Sequence, residues 1–280
     1  MCRLFGQISS SPLKAEDFLA QESCSLLRQS FANPKNLQKD GWGIGYYVNQ
    51  RARQAVVVKS PRPLFEQKNF FQRLANQTRS KIIISHIRNA SNPRGIPKKQ
   101  LISLNNSQPF HHKNYLFAHN GTVEIPDEVF SFLGPYQKKI LGKNDSEIYF
   151  WQLIKFVESY GSVPRAMKAA VQELWGIWRG CQARYSKKKY PYTGLNTLLS
   201  DGNSLYALCH YPSANKNACA LCAPDRPWGK MCFTRRGPRM LVSSEPMDFQ
   251  TWDSFHDPEI LILTPQNGSF KITRERFSIH

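Results

Sequence analysis

The order of strand-like and helix-like segments predicts an α+β fold in which helices cover antiparallel sheets. Strand patterns come early in the chain, helix patterns occupy the middle, and short strand patterns return near residue 195. The 280 residues, 41% of them hydrophobic, can bury a substantial core. Because neither a repeat of about 20–50 residues nor a long linker interrupts the chain, we expect a single domain over residues 1–280.

The N-terminal segment predicts one strand followed by one helix. RLFGQI, directly after Met1 and Cys2, has the pattern of a strand. A helix is predicted around residues 14–28, where Leu19, Leu26 and Leu27 fall on one face.

Three segments predict the next strands. DGWGIGYYV (40–48) is typical of a glycine-rich turn that runs into a strand. KIIIS (81–85) is a β-branched run, typical of a strand buried on both faces. NYLFAHNG (114–121) predicts a strand that ends at an Asn-Gly turn.

Two helices and a group of short strands are predicted in the second half of the chain. Residues 144–158, NDSEIYFWQLIKFVE, begin with capping residues and continue with apolar residues at helical spacing. Pro164 suits the first turn of the next helix, whose apolar stripe contains Trp175 and Trp178 and is interpreted as core. The late strands are LNTLLS, SLYALC, RMLVSS and EILILT.

The charge of the chain narrows the class of protein only a little. The 38 Lys and Arg against 20 Asp and Glu give a net charge of +18, which attracts anions without selecting among them. The KKK run at 187–189 is interpreted as a solvated loop, and no RNA-binding or helix-turn-helix signature accompanies it, so we do not expect a nucleic-acid partner.

The chain also gives expectations about location and redox state. No apolar run approaches the roughly 20 residues that span a bilayer, and the N-terminus lacks a signal-peptide pattern. We therefore expect a cytoplasmic protein without a membrane partner. The odd number of cysteines, seven, favours free thiols over a disulfide framework.

Cys2 is the first candidate for chemistry. Removal of Met1, which is usual before a small side chain, would leave a residue that carries both a thiol and a free α-amine. The amine can then accept the proton of the thiol, through one water, and make it a nucleophile. Attack on a carbonyl also requires donors for the oxyanion and groups that hold the substrate.

Three later motifs supply these groups. Arg88, in SHIRNAS (85–91), follows a buried strand and could grip a carboxylate with its guanidinium. In AHNGTV (118–123), Asn120 offers an amide donor and Gly121 a backbone N–H without an obstructing Cβ. Asp145, in NDSE (144–147), stands at a helix start and could hold an ammonium group. Together these groups suit an α-amino acid with a distal amide, which is glutamine.

The motifs resemble those of the class II (N-terminal nucleophile) glutamine amidotransferases, in the order of that family. The similarity extends over most of the chain through SSEP (243–246) and LNTLLSDGNSLYAL (195–208). Its central motifs are Cys2, DGWGI (40–44), HIRNAS (86–91), NSQPF (106–110), HNG (119–121) and DSE (145–147).

The resemblance implies both a fold and a set of roles. The fold is the Ntn-hydrolase four-layer αββα sandwich with two antiparallel sheets. Cys2 would be the nucleophile with its own amine as base, and Asn120 and Gly121 would form the oxyanion hole. Arg88 would bind the α-carboxylate and Asp145 the α-ammonium. Of the remaining motif residues, Ser91 would lie beside the substrate and His86 would give structural support.

Two departures from the larger synthases of the family point to a stand-alone enzyme. Asn36-Leu37-Gln38 stand where those synthases have a His-Arg-Gly stretch, and no synthase-like region follows. We expect a glutaminase that releases glutamate and ammonia from a γ-glutamyl thioester, with any acceptor enzyme on a separate chain. Two alternatives stay open: a hydrolase of γ-glutamyl peptides or thiol metabolites, and an inactive basic binding module.

A cysteine-rich segment at 209–232 raises the question of a metal. Cys219, Cys222 and Cys232 could in principle contribute to a tetrahedral zinc site. Because the segment contains no second CxxC or HxxxH pair, this candidate is weak, and we expect neither a metal nor another cofactor.

Overall fold

Two antiparallel sheets form the centre of the protein in the computed structural model, which describes residues 2–49, 54–212 and 219–279. The strands of the described residues are β1 Arg3–Leu13, β2 Trp42–Asn49, β3 Gln54–Ser60, β4 Ser80–Ile87, β5 Phe110–His112, β6 Tyr115–Val123, β7 Tyr192–Ser200, β8 Leu205–Cys209, β9 Cys232–Arg236, β10 Arg239–Ser243, β11 Asp253–Ser254, β12 Glu259–Gln266 and β13 Ser269–Arg276. The first sheet has the order β11-β9-β10-β1-β4-β2-β3, and the second has the order β13-β12-β8-β7-β6-β5.

Helices lie on the outer faces of the two sheets. They are α1 Leu26–Gln29, α2 Lys68–Gln77, α3 Pro126–Ser131, α4 Asp145–Tyr160 and α5 Val163–Cys181. A π-helical turn, Asp17–Gln21, precedes α1, and short 3-10 turns lie at Pro34–Asn36, Leu64–Gln67, Lys98–Gln100, Gly134–Lys139 and Gln182–Tyr185.

The buried side chains divide into three layers of core. Between the sheets, Leu4 of β1 packs in one apolar cluster with Leu116 of β6 and Leu198 of β7. A second cluster joins the outer face of the first sheet to α1 and α2, and a third joins the second sheet to α4 and α5. This layering is a four-layer αββα sandwich and confirms the predicted fold class.

Strand β4 contains a continuous apolar run because both of its faces are buried. Ile82 and Ile84 face the layer between the sheets, whereas Ile83 and Ile87 face the outer helices. Each is at most 1% exposed, so both faces of this strand are buried, as the sequence predicts.

Helix α4 begins where the capping pattern predicts and ends at Tyr160, two residues beyond the predicted segment. The side chain of Asn144 accepts a hydrogen bond from the Glu147 N–H at 2.8 Å, which satisfies one of the unpaired donors of the first turn. At the other end Gly161 has φ 62°, a left-handed conformation that glycine adopts without steric cost.

The structure differs from the sequence analysis at two local elements. The helix expected around residues 14–28 is divided into the π-turn and α1. The backbone of Glu22 is extended, and the side chain of Ser25 accepts a hydrogen bond from the Arg28 N–H, which starts a new helix at Leu26. The Asn120-Gly121 pair is not a hairpin turn, since β6 continues to Val123 and pairs with β7 through both residues.

The expectation of free thiols is wrong for one pair of cysteines. Cys24, just before α1, forms a disulfide with Cys222, which is 198 residues further along the chain. Periodicity and local motifs carry no information about a contact of this sequence separation.

The described helices include none with the length and apolar character that a membrane crossing requires.

Candidate active site

Cys2 lies at the start of the central strand of the first sheet. Arg3 pairs with Ile87 at the end of β4, so the next position in this register places Cys2 beside Arg88. The Sγ of Cys2 donates a weak hydrogen bond to the carbonyl oxygen of Asn89 at 3.5 Å. The pairing of β1 with β4 therefore brings the N-terminal cysteine to the HIRNAS segment.

A cavity of about 180 Å³ opens next to this thiol. Four of the predicted site residues line it, namely Cys2, Ser91, Asn120 and Gly121. The structure thus collects residues from the first sheet, the loop after β4 and the second sheet around one space.

Asn120 presents an unpaired amide at this cavity. Its side chain is completely buried, and neither Oδ1 nor Nδ2 has a hydrogen-bond partner within the described chain. Since nearly all buried polar groups in proteins are paired, an orphan amide at a cavity wall is a candidate donor for a ligand oxygen.

Gly121 is fixed as glycine by its neighbour strand. A Cβ at this position would lie 1.9 Å from the carbonyl oxygen of Gly194 in β7, well inside the contact distance of any atom pair. The absence of a side chain lets β6 and β7 pair closely beside the cavity.

Arg88 and Asp145 lie behind the cavity lining and do not belong to it. Arg88 is 3% exposed, and its guanidinium donates to the carbonyl oxygen of Leu101 at 2.6 Å. Burial lowers the pKa of Arg88, and the negative charges of Cys2, Asp145 and Asp40 oppose this by raising it. Because a guanidinium does not lose its proton in a protein, Arg88 is a buried cation close to Cys2.

Asp145 connects the predicted substrate-binding residues. Its carboxylate accepts from the Val123 N–H at 2.8 Å and from the Ser91 hydroxyl at 3.2 Å. Burial raises the pKa of Asp145, and these hydrogen bonds together with the charge of Arg88 oppose that rise. Ser91 thus links a cavity wall to the carboxylate behind it.

The two motif histidines are poor candidates for proton transfer. Burial lowers the pKa of His119 to about 4, and its ring nitrogens contact the Ser146 hydroxyl at 3.0 Å and the Gly194 carbonyl at 3.1 Å. Burial, followed by the charge of Arg88, lowers the pKa of His86 well below its usual value. Both rings are therefore neutral at pH 7.

The other motifs hold the site segments in place. Asp40, in DGWGI, accepts from the Ala90 N–H at 2.8 Å. In NSQPF, Gln108 accepts from the His119 N–H at 2.6 Å and donates to its carbonyl at 3.2 Å. The Asn106 side chain accepts from the Asn144 N–H at 3.1 Å, which fixes the start of α4. These motif side chains therefore hold the site segments by hydrogen bonds to backbone groups.

Some cavity residues were not predicted. Asn89 lies inside HIRNAS and Thr122 follows Asn120-Gly121, so their motifs could have indicated them. Thr193 carries no local signal, because only the pairing of β7 with β6 brings it to the cavity. Asn36, in the segment that departs from the larger synthases, accepts from the Asn89 side chain at 2.8 Å.

The structure does not bring the weak zinc candidates together. Cys222 is bonded to Cys24, Cys232 is a buried thiol, and Cys219 is exposed. Among the described residues, the one cluster of metal-ligand type combines Cys24, Cys222 and Glu245, which includes both disulfide cysteines. Residues 213–218 of the cysteine-rich segment lie outside the described part of the chain.

A larger cavity of about 610 Å³ lies between α3 and α5, and none of the motif residues lines it. Its carboxylates have partners within the protein: Asp127 pairs with Arg94, and Glu173 pairs with Lys155. The chemistry-bearing side chains thus converge on the smaller cavity.

Comparison with known proteins identifies a family and a shared fold. The profile of the family described as class-II glutamine amidotransferases matches residues 1–237. A search of curated proteins gave no match.

Solved structures share the fold at low sequence identity. A glutamine aminotransferase class-II domain protein from Silicibacter pomeroyi has a TM-score of 0.64 and 17% identity, over 99% of this chain and 100% of that one. The glutamine phosphoribosylpyrophosphate amidotransferase of B. subtilis has a TM-score of 0.56 and 16% identity, over 99% of this chain and 50% of that one. A predicted glutamine amidotransferase from Pseudomonas aeruginosa has a TM-score of 0.51 and 18% identity, over 96% of this chain and 99% of that one.

Proposed function

This chain belongs to the class II glutamine amidotransferases, and on that basis we propose that it hydrolyses the side-chain amide of glutamine through Cys2. The observation that carries the proposal is the orphan amide of Asn120, which lines the same cavity as the Cys2 thiol. A carbonyl carbon attacked by this thiol would place its oxygen near a donor that has no other partner.

The proposed reaction begins with the loss of Met1. The freed α-amine of Cys2 takes the thiol proton through one water, and the thiolate attacks the amide carbon of glutamine. The Asn120 side chain and the Gly121 N–H stabilise the oxyanion of the tetrahedral intermediate. Ammonia leaves after protonation, a γ-glutamyl thioester remains on Cys2, and water then releases glutamate.

The substrate is held at its α-amino-acid end in this proposal. Arg88 binds the α-carboxylate, Asp145 binds the α-ammonium, and Ser91 keeps Asp145 oriented through its hydroxyl. Two observations support this assignment: the buried cation directly precedes the lining residue Asn89, and the buried carboxylate accepts from the lining residue Ser91. Free glutamine carries the two opposite charges.

The direct test removes the nucleophile. Cys2→Ala should abolish release of glutamate from glutamine and labelling by a glutamine-like electrophile, whereas Cys219→Ser, a change at an exposed cysteine, should preserve both. Intact-mass spectrometry should show that the active chain begins at Cys2. Full activity in Cys2→Ala, or in a chain that keeps Met1, would refute the mechanism.

The same assay separates glutamine from the alternative substrates. We expect glutamine to be hydrolysed with a kcat/KM at least equal to that of γ-glutamyl dipeptides. A marked preference for the dipeptides would replace the glutaminase assignment by the γ-glutamyl hydrolase, and inactivity on both would leave a binding module.

Partners and location are part of the proposal. Residues 1–280 would act as a single domain, and the ammonia could pass to an acceptor enzyme on another chain. The cytoplasmic location expected from the sequence stays a prediction, and the Cys24–Cys222 bond is of a kind more common in oxidising compartments. Cell fractionation, with the redox state of this pair measured in each fraction, would decide it.

A further inference from the structure

Glu245 connects a distant loop to the strand that begins at the nucleophile. This glutamate, in SSEP after β10, is completely buried. Its Oε1 accepts from the Arg3 Nε at 2.7 Å and from the Leu221 N–H at 3.0 Å, and its Oε2 accepts from the Cys222 N–H at 2.7 Å. Both carboxylate oxygens are therefore engaged, one of them twice.

Arg3 carries this connection to Cys2. The Arg3 side chain is also completely buried, and its Nη1 donates to the carbonyl oxygen of Cys2 at 2.8 Å. That contact fixes the rotation of the Cys2 main chain without occupying its amine or its thiol. The relative direction of these two groups, which must act together in the proposed reaction, depends on this rotation.

The disulfide holds the other end of the connection. Cys222, whose N–H binds Glu245, is bonded to Cys24, and the Cys24 N–H donates to the carbonyl of Met247 at 3.1 Å. The bond therefore clamps the segment around Glu245 from two sides. Breaking it would remove the covalent tie on the loop whose N–H groups supply two of the three donors to this buried carboxylate, and the loss of either donor would disturb the bond to Arg3.

Resting on the function proposed above, we propose that Arg3 and Glu245 are positioning residues for Cys2, and that the Cys24–Cys222 disulfide controls them as a redox switch. One thiolate of a dithiol reductant attacks one sulfur of the Cys24–Cys222 bond, which breaks and releases the other cysteine as a thiolate, and a mixed disulfide forms. The second thiol then attacks the sulfur of the reductant in this mixed disulfide and releases the first cysteine. The dithiol becomes a disulfide, and its two electrons and two protons pass to Cys24 and Cys222. The reduced protein loses the clamp on Glu245 and turns over more slowly.

The same three side chains do not suit a metal ion. The ligand atoms of Cys24, Cys222 and Glu245 lie within 4.8 Å of one another. The Glu245 oxygens already accept from a guanidinium and from two backbone N–H groups, so a cation there would meet an existing positive charge. This cluster is thus better explained as a disulfide with a capping carboxylate.

The test compares oxidised and dithiothreitol-treated wild type with the double variant Cys24→Ser/Cys222→Ser. Because small misplacements of reacting groups are costly, reduction should lower kcat roughly ten-fold or more. KM for glutamine should change less than about two-fold, since the substrate clamp is untouched. The double variant should show the lower kcat with or without dithiothreitol, and Cys219→Ser should behave as wild type in both states.

Two further measurements keep the outcome decisive. Mass spectrometry after alkylation without reduction must find Cys24 joined to Cys222 in the oxidised protein, and two alkylated thiols there would overturn the proposal. Glu245→Gln should lower kcat even in the oxidised state. Its control is Glu259→Gln, which alters another buried glutamate, one paired with Arg274, and should leave kcat unchanged.

The rate at which iodoacetamide alkylates Cys2 separates failure of this proposal from failure of the proposed function. A different rate in the double variant, together with no glutaminase activity in any form, would refute the reaction and support the positioning role. Equal kcat and equal alkylation rates in oxidised wild type and the folded double variant would overturn the switch and leave the reaction standing.

Discussion

At the scale of single residues, Asn120 is a buried amide whose oxygen and nitrogen both lack a hydrogen-bond partner among the described residues. An unpaired buried polar group costs about 1–3 kcal/mol of stability. Across the strand pair, Asn196 is buried in the same sheet, but its amide donates to the Gly229 carbonyl at 2.7 Å and accepts from the His210 N–H at 3.0 Å. These two asparagines therefore offer a matched pair for mutation.

Asn120→Ala should lower kcat for glutamine hydrolysis by roughly 100- to 1,000-fold, the usual effect of losing one oxyanion donor. Its free energy of unfolding should hardly fall, because the lost amide has no partner in the described chain. Steady-state kinetics and chemical denaturation measure the two effects. Asn196→Ala should show a loss of stability of about 1–3 kcal/mol instead. A wild-type kcat in Asn120→Ala would exclude the residue from the oxyanion hole.

Asp145 gives a prediction about pH. Burial raises the pKa of this carboxyl above its ordinary value of 3.8, so it takes up a proton at a higher pH than an exposed aspartate does. A protonated carboxyl does not attract an ammonium group, so glutamine affinity should be lost as the pH falls through this raised pKa. KM should accordingly rise on acidification. In Asp145→Asn, KM should be high throughout and nearly independent of pH, and a KM profile that matches wild type would remove Asp145 from the substrate site.

At the scale of elements, the sequence predicts the segments that have a regular period and a clear boundary. β4 was predictable from its continuous isoleucine run, and α4 from its Asn144 cap and apolar spacing. The position of Asn120-Gly121 within a continuous strand could not be predicted, because Asn-Gly is also a turn signal. Only the pairing with β7 shows that the strand continues here.

Gly121→Ala tests this strand pairing. The added Cβ would lie 1.9 Å from the Gly194 carbonyl oxygen, so β6 and β7 must move apart. Overpacking of this kind costs about 1–3 kcal/mol or more. We expect a lower Tm in thermal unfolding and a lower kcat, since the Gly121 N–H shifts with the strand.

Gly180→Ala is the matched control for this change. Gly180 lies within α5, and a Cβ there would meet nothing within 4 Å. This substitution should stabilise the protein by about 0.5–1 kcal/mol, the helix propensity difference between the two residues. Equal Tm values for Gly121→Ala and wild type would contradict the close strand contact.

At the scale of the whole molecule, the site arises from contacts that no local pattern encodes. Cys2 and Asn120 line the same cavity because β1, the central strand of the first sheet, faces the second sheet, in which β6 lies next to the edge strand β5. The family motifs predicted four residues of the cavity lining, since each motif marks a segment that the fold brings there. The connection from Cys222 through Glu245 to Arg3 was not predicted, although Glu245 lies in SSEP, because 242 residues separate Arg3 from Glu245 along the chain.

The net charge of +18 gives a prediction about the whole fold. Self-repulsion of a strongly basic surface destabilises the compact state, and salt screens it. The Debye length falls from about 30 Å at 0.01 M salt to about 8 Å at 0.15 M, so the Tm should rise over this range. Surface ion pairs, such as Lys113 with Glu158, weaken under the same conditions, but each contributes only about 0–1 kcal/mol.

The KKK run allows a control on this salt effect. Lys187 and Lys189 are exposed, whereas Lys188 pairs with Glu124. Lys187→Glu/Lys189→Glu changes each charge from +1 to −1 and lowers the net charge from +18 to +14. Thermal unfolding in a series of NaCl concentrations should therefore give a smaller rise in Tm for this variant than for wild type. If the Tm of wild type fell with added salt, attraction within ion pairs would outweigh the repulsion, and net charge would not limit the stability of this fold.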